Sequence, residues 1–280
     1  MPFSFDTLSS SESVAIMGII NLSPDSFYSR SSISSTSDAL RMAEKMIQEG
    51  AHILDVGAES TRPGSKGISV KLELERLLPV INIITKKFNI PISIDTYKPE
   101  VASVVLREGA GAINDITALG AGEKMINTIS EFKAGIVLMH MRGTPELMQK
   151  NPNYKDVCKE VLDFLCKRVK IAEKGGIDPR SIAIDPGIGF GKTVAHNIDL
   201  IAKLSQLKRL GKQILLGVSR KSFIGNVLNL DTAERLEGSI AAGIIGIING
   251  ANILRVHDVG PTVRAVKMAK ALMKANKRDD

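Results

Sequence analysis

The chain has 280 residues, 44% hydrophobic and 24% charged, with a mean hydropathy near zero, which excludes a disordered or fibrous polymer and supplies enough apolar material for a sizeable core. The formal charge of +7, from 37 basic against 30 acidic residues, suits an anionic small-molecule substrate. Part of the excess is a run of lysines near residue 270 that a solvated helix face explains as well as nucleic acid would, so no nucleic-acid partner is expected.

In chain order, residues 1–14 are Ser-rich and read as a flexible N-terminal extension, without the basic and apolar regions of a secretory signal. Eight short apolar runs follow: AIMGII, HILDV, PISI, AINDI, GIVLM, SIAI, QILLGV and NILRV. They recur about every 34 residues, the length that a strand, a helix and two loops require. Helix punctuation separates them. Thr36 or Ser37 is placed to cap a first helix that Gly50 ends, Pro99 to open another that Gly109 stops, and Pro261 to open the last. Pro79 lies inside an otherwise helical stretch and is expected to kink or divide it. Eight alternating units imply a parallel sheet closed into a (β/α)₈ barrel, one α/β domain over 15–280 with mobile loops at its C-terminal face. Cys158 and Cys166 fall in one helical segment, which reads as reduced thiols in a cytoplasmic protein. No uninterrupted apolar stretch is long enough to span a membrane.

A barrel builds its chemistry at the C-terminal ends of its strands. There the sequence places Asn21, Asp55 with Glu59, Asp95, Asn114 with Asp115, His140, Asp185, Ser219 with Arg220 and Lys221, and Arg255 with His257 and Asp258. Asp95, Asn114 and Asp185 suit the donor-rich edge of a flat heterocycle, where a carboxylate takes a bidentate pair from an amino-pyrimidine. Arg62, Arg220, Lys221, Arg255 and His257 are anion binders. A ligand with a heterocycle at one end and a phosphate at the other fits this rim. The stretch 187–193 is similar to a phosphate loop but lacks its first glycine, where Pro186 stands. The four histidines lack metal-pair spacing, so any metal is expected to be Mg²⁺ on oxygen ligands.

These residues sit in motifs that resemble the dihydropteroate synthases of the pterin-binding barrel group: GIINLSPDSF (18–27), GAHILDVGAESTRPG (50–64), SIDTYKPEVA (93–102), AINDI (112–116), MHMRGTP (139–145), DPGIGFGKT (185–193), GVSRKSFIG (217–225) and RVHDV (255–259). The resemblance implies condensation of p-aminobenzoate with the pyrophosphate ester of 6-hydroxymethyl-7,8-dihydropterin. The products would be 7,8-dihydropteroate and pyrophosphate, formed by an SN1-like C–O ionisation. It implies that Asp95, Asn114, Asp185 and Lys221 hold the pterin ring, with Met139, Phe190 and Gly217 lining its slot. Asn21, Arg62, Arg255 and His257 would hold the pyrophosphate, Asn21 with Mg²⁺. Thr61, Arg62, Pro63 and Ser222 would form the p-aminobenzoate site, Asp95, Lys221, Arg255 and His257 would be the catalytic set, and a homodimer is implied. The sequence departs from the group where Ser29 stands in place of a loop aspartate, with Asp25 a poor substitute, and where Ala58 replaces a glycine. Alternatives are a methyltetrahydrofolate-dependent corrinoid methyltransferase, which needs neither Arg255, His257 nor the ESTRPG loop, and a catalytically silent basic binding protein.

Overall fold

A computed structural model describes residues 2–8, 14–23, 35–61 and 64–275. The eight apolar runs are its eight strands: β1 Ala15–Asn21, β2 Ile53–Gly57, β3 Ile92–Asp95, β4 Ala112–Asp115, β5 Gly135–Met139, β6 Ile182–Asp185, β7 Gln213–Leu216 and β8 Ile253–Val256. Each pairs in parallel with the next, and β8 pairs with β1 to close the barrel. The connecting helices are α1 Thr36–Gln48, α2 Val70–Lys87, α3 Pro99–Arg107, α4 Glu123–Phe132, α5 Val157–Lys174, α6 Val194–Ala202, α7 Ser222–Leu228 and α8 Leu236–Ile248, and α9 Val259–Ala275 follows β8.

Punctuation in the sequence sets most helix ends. Ser35, one residue before the expected cap, accepts the Asp38 amide at the start of α1. Gly50 and Gly109 take positive φ just past α1 and α3, a conformation that costs other residues a Cβ clash. Pro79 does not divide α2, which runs unbroken through it. The carbonyl that Pro79 leaves without a partner belongs to Glu75, four residues back, and both residues are exposed, so water can take that bond.

Side chains alternate across a strand, and in a closed barrel every second residue points inward. One inward layer is apolar: Met17, Ile53, Ala112, Val137, Ala183, Leu215 and Ile253 are all fully buried in one cluster. Two residues further along the same strands, on the same face, stand Asp55, Asn114, Met139, Asp185, Gly217 and Arg255, with Asp95 two beyond the buried Ser93. The strand period of two therefore sets the polar layer directly on an apolar floor.

That floor is closed from below by a segment expected to be flexible. Residues 2–8 form a short 3₁₀ turn, Phe5–Thr7, and Phe5 is fully buried against Met17 and its neighbours. Phe3 packs edge-on against Phe5 at 4.9 Å, its N–H bonds the Lys133 carbonyl at 3.0 Å, and its carbonyl accepts the Ser181 hydroxyl. Gln213 adds a 2.7 Å bond to Asp6. Two aromatic rings over an otherwise open barrel end explain the anchoring, since burying one such ring is worth about 1.5–3 kcal/mol. The expectation for residues 2–8 is corrected accordingly.

Candidate active site

The polar layer is one connected network. Arg255 from β8 donates Nε to Asp55 at 2.6 Å and a terminal nitrogen to Asp95 at 2.9 Å, while the Asn114 amide donates to the same Asp55 oxygen at 3.1 Å. The guanidinium thus joins β2, β3 and β8, and Asp55 links β4 to them through Asn114. Asp55 was visible in the sequence only as a strand end and was given no role. It is fully buried, and its second oxygen has no hydrogen-bond partner among the described residues. Burial pushes the Asp95 carboxyl up to about 7; Arg255 opposes the rise, and Asp55, Glu73 and Glu59 add to it. Burial also works against the Arg255 charge, but Asp55 and Asp95 outweigh it and hold the guanidinium firmly protonated.

Asp185 and Lys221 complete the layer. Asp185 accepts the Gly187 amide at 2.6 Å, and burial raises its carboxyl against the pull of Lys221. Lys221, immediately before α7, donates to the Ile188 carbonyl and lies 4.8 Å over the Phe190 ring. Burial lowers its ammonium to about 8, opposed by Asp185 and reinforced by Arg255. A Cβ on Gly217 would stand 3.8 Å from the Lys221 nitrogen and 3.9 Å from the Arg255 side chain, so the glycine keeps this wall of the layer flat. Met139, 3% exposed, points into the same layer. Carboxylates at Asp95 and Asp185 and an amide at Asn114 present acceptors and a donor, with Lys221 and Arg255 as the cations. That combination recognises a flat heterocycle with several ring N–H groups.

Around this floor the sequence expectations divide. Asn21 ends β1, and His257 follows β8 with Nδ1 3.0 Å from the Ser219 hydroxyl. Ser222 opens α7 and Thr61 is half-buried. Arg62, Pro63, Asp25 and Ser29 lie outside the described residues. Arg220 is not a rim anion binder. Its Nε and one terminal nitrogen grip Asp258 at 2.8 and 2.9 Å, and its other terminal nitrogen bonds the Thr232 and Ala233 carbonyls. The residue takes φ 55°, in the left-handed region. Asp115 is likewise a turn cap, accepting the Thr117 and Leu119 amides at 2.7 Å. Glu59 is drawn into a buried cluster, accepting Lys98, the Tyr97 hydroxyl at 2.8 Å and the Ile68 amide at 2.9 Å. Beside it a cavity of about 540 Å³ opens at the rim, lined among others by Ser60, Tyr97, Thr117, Phe164 and Arg168. His140 and Lys192 are buried together beneath the β6–α6 loop, Lys192 Nζ 2.9 Å from His140 Nδ1.

The pattern of the pterin-binding enzymes matches residues 17–257. The dihydropteroate synthase of Escherichia coli K12 is 43% identical over 265 residues, 94% of each chain. Among solved structures, Yersinia pestis dihydropteroate synthase with a sulfonamide drug superposes with a TM-score of 0.90 at 37% identity, covering 94% of this chain and 95% of that one. The Xanthomonas albilineans enzyme with 4-aminobenzoic acid gives 0.87 at 40% identity, with 94% of each chain covered.

Proposed function

We infer the reaction from the premise that the chain belongs to the pterin-binding enzyme family: it is a transferase that joins p-aminobenzoate to 6-hydroxymethyl-7,8-dihydropterin pyrophosphate, releasing dihydropteroate and pyrophosphate in folate biosynthesis. The observation that carries this is the single layer holding Asp95, Asn114, Asp185, Lys221 and Arg255 over an apolar floor. The names of the relatives set aside the methyltransferase and silent-binder alternatives.

Asp95 and Asp185 take the ring N–H groups of the pterin, Asn114 and Lys221 its remaining edge, and Met139, Phe190 and Gly217 the ring faces. Ionising the C–O bond leaves a delocalised pterin cation, and a carboxylate at Asp95 stabilises that charge as it develops. Arg255 serves both halves: it holds Asp95 and Asp55 in place and sits beside His257, the second group assigned to the pyrophosphate. The amine nucleophile is uncharged, so positioning by Thr61, Arg62, Pro63 and Ser222 suffices without a strong base. Removal of water by loop closure protects the cation.

Mg²⁺ fits as a weakly held partner of the leaving group. No group of three or more His, Cys, Asp or Glu side chains arranged to hold a metal ion exists among the described residues, and the amide oxygen of Asn21 at the end of β1 is the kind of single hard donor that Mg²⁺ combines with substrate phosphates and water. Bound there, it would neutralise charge on the departing pyrophosphate.

The functional unit is a homodimer in this reading. Val227 and Leu228 of α7, Ile245 and Ile248 of α8, and Met268 and Leu272 of α9 are exposed large apolar residues on helices that pack side by side. Sedimentation of the wild type as a dimer and of Ile248→Asp as a monomer tests it. The two cysteines carry no disulfide and no helix among the described residues is long and apolar enough to cross a membrane, which supports a cytoplasmic location. The reaction itself is tested by p-aminobenzoate-dependent release of pyrophosphate; its absence with active cofactor ion present would overturn the assignment.

A further inference from the structure

The glycine-rich stretch 187–191 ends on Lys192, which is 3% exposed and has no part in the chemistry assigned above. We propose that Lys192 and His140 are a positioning pair that locks the β6–α6 loop onto the β5–α5 loop and so sets the wall of the heterocycle slot that Phe190 carries. The proposal deepens the assignment of that slot and rests on it.

Three acceptors surround the three N–H bonds of the Lys192 ammonium: His140 Nδ1 at 2.9 Å, the His140 carbonyl at 3.3 Å and the Phe190 carbonyl at 3.0 Å. Two belong to the segment after β5 and one to the loop after β6. One buried cation therefore ties two loops together at the residue whose ring lies against Lys221. His140 can accept only as a neutral ring with its proton on Nε2. Burial, and then the Lys192 charge, hold it in that state by lowering it to about 3. Its ring is fixed edge-on against Phe164 at 4.9 Å. Charged groups face Lys192 from each packed element: Asp185 from β6, Lys221 from the start of α7, and Arg142 behind His140.

The glycines make this locking possible. A Cβ on Gly187 would lie 1.8 Å from the His140 carbonyl oxygen, and one on Gly191 2.5 Å from that of Arg142. The two loops therefore touch backbone to backbone, and Gly187, Gly189 and Gly191 all have positive φ. Peripheral bonds join them as well, Gln149 to the Gly189 carbonyl at 2.6 Å and the Tyr154 hydroxyl to that of Gly191 at 2.8 Å. Lys192 supplies the buried joint. With every donor committed beneath the loop, Lys192 offers nothing to a phosphate.

The test compares Lys192→Met, His140→Leu and His140→Asn, the last retaining an acceptor near the Nδ1 position. Calorimetry with pterin pyrophosphate should show about tenfold weaker binding for Lys192→Met and His140→Leu, on the scale of one lost charge-assisted hydrogen bond. KM for the pterin should rise in proportion, with KM for p-aminobenzoate at saturating pterin nearly unchanged, and His140→Asn should recover most of the affinity. Thermal midpoints are recorded alongside, and if Lys192→Met fails to fold the two His140 variants carry the comparison. Lowered midpoints with unaltered pterin affinity, or His140→Asn as weak as His140→Leu, would overturn the pair. A wild-type protein that binds no pterin pyrophosphate would instead remove the slot assignment beneath it.

Discussion

Arg220 and Arg255 look alike in sequence, each in a short motif after a strand, and the barrel uses them in opposite ways. Arg220 spends its donors inward on Asp258 and two loop carbonyls, a bidentate pair with a side chain only 5% exposed. Arg255 stands between two carboxylates, one of them fully buried and the other at the floor of the mouth, with its own side chain 19% exposed. The first arrangement closes on itself and holds a loop. The second is left open on one side, where a ligand can reach Asp95 and the guanidinium. Partner geometry, more than residue type, separates an ion pair that closes on itself from one left accessible.

The sharpest way to break this comparison is to remove each arginine. Arg255→Met should cut kcat/KM by about a hundred- to a thousandfold, as loss of an electrostatic group at the reacting charge does, and it should also lower stability, because the buried Asp55 then keeps only Asn114 as a partner among the described residues. Arg220→Met should act on stability first, by about 3–5 kcal/mol, since Asp258 loses its buried partner. Turnover assays and thermal melts on both variants would refute the distinction if the two profiles coincided.

Phe5→Ala examines the opposite end of the barrel. It should cost about 3–5 kcal/mol and lower the melting temperature with kcat unchanged, because the apolar floor separates Phe5 from the polar layer. A selective loss of turnover with stability intact would contradict that separation.

Lys221→Met is a smaller perturbation of the open site. Losing its charge-assisted bonds should cost about 1.5–3 kcal/mol, or about ten- to a hundredfold in turnover efficiency, with little change in melting temperature. Unaltered pterin affinity would leave Lys221 as a structural residue that ties the start of α7 to the Ile188 carbonyl.

A further effect is in the pH dependence of stability, and it has two signs. Asp95 is raised from 3.8 to about 7 in the fold, so the native state binds the extra proton and stability declines as pH rises through that window. Lys192 is lowered from 10.5 to about 7, mainly by burial; there the unfolded state binds more protons, and stability rises with pH above about 7. Melting temperature against pH should lose its acid-side decline in Asp95→Asn and its alkaline rise in Lys192→Met. Parallel curves for all three proteins would rule out both assignments.

The strands were legible because each is a short apolar run ending in a polar residue, and the barrel because eight such runs recur at even spacing. Asp95, Asn114, Asp185 and Arg255 were legible for the same reason, since the strand period carries rim residues inward together, whereas Lys221 lies beyond the end of β7 and its place at the ring came from the resemblance of its motif. Three features were not. Arg220 and Lys221 are adjacent, yet Arg220 reaches Asp258 and Lys221 the Ile188 carbonyl. Asp55 reads as a turn aspartate until Arg255, 200 residues away, is brought to it. The plug at residues 2–8 is two phenylalanines ahead of a Ser-rich run, a pattern without periodicity whose partners are contributed by the rest of the barrel.

That plug has a consequence for how the molecule is assembled. Its contacts join segments as far apart as the chain permits: Ser181 reaches back 178 residues to Phe3, and Gln213 reaches 207 residues to Asp6. Residues 2–8, which precede every strand, thus find their docking site only when β6 and β7 have been made and the ring is nearly complete. Such non-local closure is slow relative to helix formation and exposes its apolar surface until it occurs. Sealing of the base by Phe5 therefore requires β6 and β7, and a ribosome-bound chain truncated before β7 should leave residues 2–8 open to a protease that the finished protein resists.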